Sequence, residues 1–229
     1  MAKNIIISGA SGGLGRDVVK KLSDLGNHLY VTFGSKNTDT FSGFENVTGQ
    51  VVDLTNNDES VNFIDTTLEK AKTIQAGIFL VGAYAPGGLD KTDDALLAKM
   101  FNLNFFTAFH LVKPLMEHFK ANGGGQFIFV GARPALEADQ GKGNFAYALS
   151  KSLVFKMAEF INAEGKADNI TATVIVPSTI DTPTNREAMP DADFTKWISA
   201  SDIAESIAFI LTDSGQKLRE TVFKIYNNS

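Results

Sequence analysis

Ser8-Gly9-Ala10-Ser11-Gly12-Gly13-Leu14-Gly15 closes a short apolar run that begins at Lys3 and opens a stretch of helical periodicity. Strand, glycine loop and helix therefore follow one another without a break. Glycines at 9, 13 and 15 let the backbone turn tightly and approach a ligand closely, and the amides at the start of the next helix attract a pyrophosphate. Glycine turns between strand and helix also serve plain packing, so the loop gains its meaning from its place on the first strand of an alternating chain, beside the crevice of a parallel sheet.

Outward from that loop the chain alternates apolar runs of strand length with longer helical stretches, the signature of an α/β domain whose parallel sheet carries helices on both faces. Strands are read near Lys3 to Ser8, His28 to Gly34, Val47 to Val52, Gly77 to Val81, Gln126 to Gly131, Thr171 to Val176 and Val222 to Tyr226. Helices are read over Leu14 to Leu25, Glu59 to Lys72, Asp93 to Lys120, Phe145 to Ala163 and Ser201 to Leu211. The expected fold is a Rossmann-type, doubly wound, seven-stranded parallel sheet, with residues 1–229 forming one domain. Pro183 to Trp197 is a long insertion of weak periodicity, placed to act as a substrate lid. With 26 acidic and 21 basic side chains spread along 229 residues, the net charge of -5 favours solubility and offers no field for nucleic acid. The absence of cysteine removes disulfides, thiol nucleophiles and thiolate metal sites. The opening residues are too brief an apolar run for an export signal or a membrane span, and a cytoplasmic, membrane-free protein is the expectation.

Cofactor choice in such a fold rests on the end of the second strand, where an acid would bond the ribose hydroxyls of NAD and repel an added phosphate. Here the segment reads Val31-Thr32-Phe33-Gly34-Ser35-Lys36 and holds no acid. The hydroxyl of Ser35 and the ammonium of Lys36 suit a 2′-phosphate, so NADP(H) is expected ahead of NAD(H), although Lys36 also fits a solvated loop. Asp53-Leu54 follows the third strand, where the carboxylate either accepts from an adenine amino group or caps the next turn.

Tyr147 and Lys151 stand four residues apart in Phe145-Ala146-Tyr147-Ala148-Leu149-Ser150-Lys151, at a helix start, so both face one side. A phenol with a pKa near 10 exchanges protons poorly at neutrality, and lowering it by ~3 units takes roughly 4 kcal/mol. A cation about 5 Å away, at an effective dielectric near 20, supplies around 3 kcal/mol of that. The same spacing also occurs on ordinary solvated helix faces.

Together the glycine loop, Asp53-Leu54, Val81-Gly82-Ala83 after the fourth strand, Asn104 in the long helix and the Tyr-Lys pair resemble the short-chain dehydrogenase/reductase family along the whole chain. The resemblance implies an oxidoreductase with Tyr147 as proton donor, Lys151 as its electrostatic partner and Asn104 holding a water that links the lysine to solvent. Asn102 is a rival for that last role; Thr107 and Phe109 fit Asn104 better. It further implies cofactor contacts at Gly9, Ser11, Gly13, Leu14, Gly15, Ser35, Lys36, Asp53, Leu54, Gly82, Ala83, Tyr147 and Lys151. The segment Pro177-Ser178-Thr179-Ile180-Asp181-Thr182 would lie along the nicotinamide, with Pro177, Ile180 and Thr182 touching it. Relatives pair through the two long helices around Asn104 and Tyr147, which implies a homodimer or homotetramer.

One departure stands out. The family's usual serine at the end of strand five is replaced by Ala132, in Gly131-Ala132-Arg133-Pro134. Losing one donor to a developing oxyanion typically costs about 100- to 1,000-fold in rate. Either the substrate has no need of that donor, or the chain is a cofactor-binding regulator or sensor that has lost catalysis. The first option is supported by a narrower likeness, in the carboxyl-terminal half, to the dihydropteridine reductase subgroup: Ala132 itself, Asp181-Thr182-Pro183-Thr184-Asn185-Arg186, Met189-Pro190-Asp191-Ala192-Asp193-Phe194 and Trp197. It implies a small, flat, conjugated carbonyl, imine or pterin-like substrate; the missing acid after strand two departs from that subgroup.

Tyr84 and Trp197 are candidates to sandwich a flat substrate, with core closure as the alternative for both. His28, His110 and His118 are too scattered for a metal site, and none is expected. Phe101, Phe105, Phe106 and Phe109 recur at helical spacing and read as core or as a subunit contact.

Overall fold

The protein is described here by a computed structural model covering residues 2–34 and 38–227. Seven parallel strands, β1 (Asn4–Ser8), β2 (His28–Phe33), β3 (Val47–Val51), β4 (Ala76–Phe79), β5 (Gly125–Val130), β6 (Ile170–Pro177) and, last in the chain, β9 (Val222–Ile225), form a sheet of order β3-β2-β1-β4-β5-β6-β9. The order reverses between β1 and β4, and there the loops at the carboxyl ends part to leave a crevice. Central strands such as β6 are buried along their whole length, which is why they read as unbroken apolar runs instead of alternating ones.

Helices α1 (Gly13–Asp24) and α8 (Ala200–Ile210) cover one face of the sheet. Helices α2 (Asn57–Ala71), α4 (Thr107–Ala121) and α6 (Phe145–Glu164) cover the other, where Phe79, Phe119, Phe127 and Phe129 pack ring on ring. Local chemistry starts several of these helices. Asn56 caps α2 by accepting from the Asp58 and Glu59 amides, Asp93 caps α3 (Asp94–Phe101), and Ser199 caps α8.

The helix expected from Asp93 to Lys120 is not continuous. It runs as α3, then a π turn over Asn102–Phe106, then α4. One extra residue in the turn widens the backbone ring, a device that recurs where a helix must aim a side chain into a site. By length and apolarity alone the run Asp94–Ala121 would suit a membrane span, but it packs into the sheet core through Leu111, Leu115 and Phe119. The short α5 (Ala138–Gly141) precedes α6. The insertion read as weakly periodic is also ordered: β7 (Ile180–Asp181), α7 (Pro183–Ala188), a 3-10 turn at Phe194–Lys196 and β8 (Ile198–Ser199), with β7 and β8 paired in parallel.

Candidate active site

Gly9 turns the chain off β1 with φ +74°, and a Cβ there would stand 3.1 Å from the Val81 amide nitrogen. Both the left-handed backbone and the closeness of the chain after β4 therefore require glycine. Thr32, buried near the end of β2, braces this turn: its carbonyl accepts from the Ala10 amide at 3.1 Å and its hydroxyl from the Gly9 amide at 3.4 Å. Sequence reasoning overlooked it, since a threonine inside a strand announces no partner.

At Gly15 a Cβ would fall 2.2 Å from the Gly9 carbonyl oxygen, so the first turn of α1 sits directly on the loop. Gly15→Ala should cost about 1–3 kcal/mol through overpacking and lower Tm by several degrees, together with a loss of nucleotide affinity. Calorimetry with and without nucleotide measures both, and an unaltered Tm would contradict this packing.

The amino end of α1 is built to face an anion. Gly12 occupies its cap position with no side-chain hydrogen bond, no acid lies in the first turn, and Gly12 and Gly13 are exposed. Ser11 and Leu14 are half-buried beside them. From the far side of the crevice Thr182 closes on this loop: a Cβ on Gly13 would meet Thr182 Cγ2 at 2.7 Å. The structure thus brings Gly9, Gly13, Gly15 and Thr182 together from opposite ends of the chain, a cradle that fits the pyrophosphate of a dinucleotide.

The other expected cofactor residues fall as follows. Ser35 and Lys36 lie outside the described residues. Asp53 is exposed, and its Oδ1 accepts from the Thr55 amide at 2.9 Å and hydroxyl at 2.6 Å. Those bonds hold its carboxyl below the usual carboxylate range, so the carboxylate does cap the turn, with Oδ2 outside those bonds. Leu54 is buried in the core, and its carbonyl accepts from His110 Nδ1 at 2.9 Å in the tautomer that donates there. Pro177 ends β6 beside Ile225, and Ile180 is half-buried in β7.

Tyr147 and Lys151 rise from the first turns of α6 toward the carboxyl edge of β4 and β5. Lys151 Nζ donates to the Val130 carbonyl at 2.9 Å. A Cβ on Gly82 would lie 3.1 Å from that nitrogen and 2.9 Å from Asn104 Oδ1, so ammonium and carboxamide flank the same point of backbone. Asn104, 2% exposed, accepts from the Ala83 amide at 2.8 Å and donates to the Ala83 carbonyl at 2.9 Å and to Ser150 Oγ at 2.9 Å. Asn104, rather than its rival Asn102, occupies this buried network. Ser150, which sequence reasoning passed over, joins it from α6.

Tyr84, 62% exposed, sets its ring edge-on against Tyr147 at 5.1 Å between centroids. The loop bearing it is tied to the start of α6 by two backbone bonds of 2.8 Å, Gly87 N to Gly143 O and Phe145 N to Gly87 O. Ala132 is buried just past β5 and presents no hydroxyl. Trp197, by contrast, is buried against Phe194 at 4.7 Å, which is the core-closing alternative for that residue. Arg186 binds Asp181 through both guanidinium arms, at 2.6 and 2.8 Å, and lies over the Phe194 ring, joining the two ends of the insertion.

The electrostatics differ from the sequence expectation. Burial, with the Tyr84 hydroxyl adding to it, pushes Tyr147 up to about 12 instead of down. Burial alone brings Lys151 down to about 8. The sequence argument counted the cation and left out the loss of water around the phenol, which disfavours the phenolate. Tyr147 is therefore held as a neutral phenol while Lys151 remains mostly an ammonium at neutral pH. Among the described residues no cluster of metal-ligating side chains occurs.

Residues 3–193 match the family model described as short chain dehydrogenase, and the chain belongs to that family of oxidoreductases. It is 31% identical over 228 residues to a dihydropteridine reductase of Dictyostelium discoideum, covering 95% of this chain and 91% of the relative. That likeness spans the whole chain and corrects the expectation that it is confined to the carboxyl-terminal half. A 3-oxoacyl-[acyl-carrier-protein] reductase, MabA, of Mycobacterium bovis is 27% identical over 188 residues, 81% of this chain and 72% of the relative. Among solved structures, ElxO with NADP bound shares the fold with a TM-score of 0.90 at 19% identity, covering 98% of this chain and 97% of that one.

Proposed function

We propose that the protein is an NADPH-dependent reductase of a small, flat, conjugated substrate, with a quinonoid dihydropterin as the first compound to test. The observation that carries this reading is the wall around Tyr147: an exposed aromatic, Tyr84, against its ring and Ala132 where a second hydroxyl donor would stand. A flat ring finds an aromatic neighbour there and, in Tyr147, a buried proton donor. A conjugated imine spreads its charge on reduction and does not need two donors to one localised oxyanion. The likeness to a dihydropteridine reductase supports the same substrate class.

When bound, the reduced nicotinamide supplies the hydride. The chain's own residues do the rest: the α1 terminus and glycine loop hold the pyrophosphate, and Tyr147 Oη gives its proton to the substrate heteroatom. Lys151 Nζ stabilises the phenolate that remains, and Asn104 fixes the loop at Ala83 beside it. NADPH is preferred in this reading because β2 ends on Phe33 without an acid and is followed by Ser35 and Lys36; a cytoplasmic setting accords with the cysteine-free sequence. The apolar groove between α4 and α6, with Phe105, Phe109, Met116, Leu153 and Phe160 along it, supports a homodimer or homotetramer joined through these helices.

The test is oxidation of NADPH and of NADH by the purified protein with quinonoid dihydropterin, simple ketones and quinones. Turnover of the pterin with a higher kcat/KM for NADPH is expected. Tight NADPH binding with no turnover of any compound would overturn the reading in favour of a sensor.

A further inference from the structure

Ser150 is fully buried on α6, and its hydroxyl joins two other elements of the site. Asn104 Nδ2 donates to Ser150 Oγ at 2.9 Å, and that hydroxyl donates to the Tyr147 carbonyl at 2.8 Å. A carbonyl oxygen only accepts, so the single hydroxyl proton is committed to Tyr147 and a lone pair is left for Asn104. The strong positions of the carboxamide are then filled: Oδ1 takes the Ala83 amide, one Nδ2 hydrogen goes to the Ala83 carbonyl and the other to Ser150, with Met100 Sδ a weaker acceptor at 3.8 Å from Nδ2. One unbroken chain of hydrogen bonds runs from the loop after β4, through the π turn, to the backbone of the Tyr147 turn.

We infer that Ser150 is a positioning residue: it fastens the Tyr147–Lys151 turn of α6 to Asn104, and so fixes where the lysine ammonium stands relative to Asn104 Oδ1 and Gly82. The inference rests on the catalytic reading proposed above. Ser150 acts through Asn104 and through its own helix, and its hydroxyl has no part in the chemistry. Without it, one Asn104 N–H loses its oxygen acceptor and keeps only the weak thioether acceptor Met100 Sδ at 3.8 Å, which lies on α3 and not on α6. The titratable groups on the lysine's side are Tyr147, one turn earlier on α6, and Tyr84, against the Tyr147 ring. No carboxylate contributes to the lysine's lowered value.

The test compares Ser150→Ala, Ser150→Thr and Tyr147→Phe in the NADPH and quinonoid dihydropterin assay. Alongside it, Lys151 is titrated by NMR in ligand-free protein carrying lysine labelled at Cε, its resonance assigned by its loss in Lys151→Met. Alanine is smaller than serine and favours helix, so Ser150→Ala keeps the fold. Ser150→Ala should lower kcat about tenfold, the scale of one buried hydrogen bond, with cofactor KM nearly unchanged. The Lys151 midpoint and the matching limb of the kcat profile should both move to lower pH, and Ser150→Thr should restore them. A wild-type midpoint and profile in Ser150→Ala, or equal losses in the alanine and threonine variants, would overturn the inference. Full activity in Tyr147→Phe would instead refute the catalytic reading, while the lysine midpoint in the ligand-free protein would still decide the role of Ser150.

Discussion

Tyr147→Phe should lower kcat by about 10²- to 10⁴-fold, the contribution of a positioned general acid, with nucleotide affinity close to that of the unaltered protein. Phenylalanine keeps the ring, and with it the edge contact to Tyr84 that shapes the wall of the crevice. Only the hydroxyl is lost. In the ligand-free site that hydroxyl is pushed up to about 12 by burial and by Tyr84, so it is protonated throughout the working range and is ready to give a proton. In the mechanism proposed above, each turnover then produces a phenolate in a place that disfavours one. The cation that offsets this is Lys151, one helical turn away. Steady-state rates and nucleotide titration of the variant check the prediction, and a kcat within a few-fold of the original would remove Tyr147 from the mechanism.

The strands and long helices were legible because each is specified locally. Buried parallel strands such as Ile170–Pro177 read as apolar runs, and the helices between them carry their periodicity openly. The glycine loop was equally plain, since positive φ at Gly9 and close backbone approach at both Gly9 and Gly15 favour glycine there. The π turn was hidden, because Asn102-Leu103-Asn104-Phe105-Phe106 continues the apolar pattern of its neighbours and a shift to the wider ring alters no composition. Thr32 and Ser150 were missed for a related reason. Each is an ordinary hydroxyl inside a buried element, and its partners, the Gly9 turn and Asn104, are brought to it by tertiary packing alone.

The sign of the tyrosine shift escaped the sequence reading because burial is a property of the assembled crevice. Spacing on a helix says that a lysine lies near a tyrosine. It does not say that the Val130 carbonyl will take the ammonium, or that both side chains will lose water. A charge placed in a dry site at the expense of stability is what a functional site looks like energetically.

That cost is measurable. Lys151→Met should abolish most turnover and yet raise the stability of the ligand-free protein by about 2 kcal/mol at pH 7. A lysine ordinarily at 10.5 is brought down to about 8 here by burial alone, which corresponds to roughly 3 kcal/mol of cost for keeping it charged. Methionine fills similar space without a charge, while the Val130 carbonyl loses its donor at a cost of about 1 kcal/mol. The sign follows from proton binding. Between pH 8 and 10.5 the unfolded chain holds the Lys151 proton more tightly than the folded one, so the original protein gains stability as pH rises through that window. Below it the full cost is present; above it the lysine is neutral in both states and the cost is gone. The advantage of Lys151→Met should therefore be largest near neutrality, with Tm higher by about 4–8 °C at pH 7, and should reverse at strongly alkaline pH to a deficit of about 1 kcal/mol, the bond to the Val130 carbonyl that a neutral lysine still makes. Calorimetry of both proteins from pH 6 to beyond the ordinary lysine range tests it. A variant less stable than the original at neutral pH would mean that Lys151 holds the fold together, and that its ammonium is not stored there against a cost for use on the tyrosine.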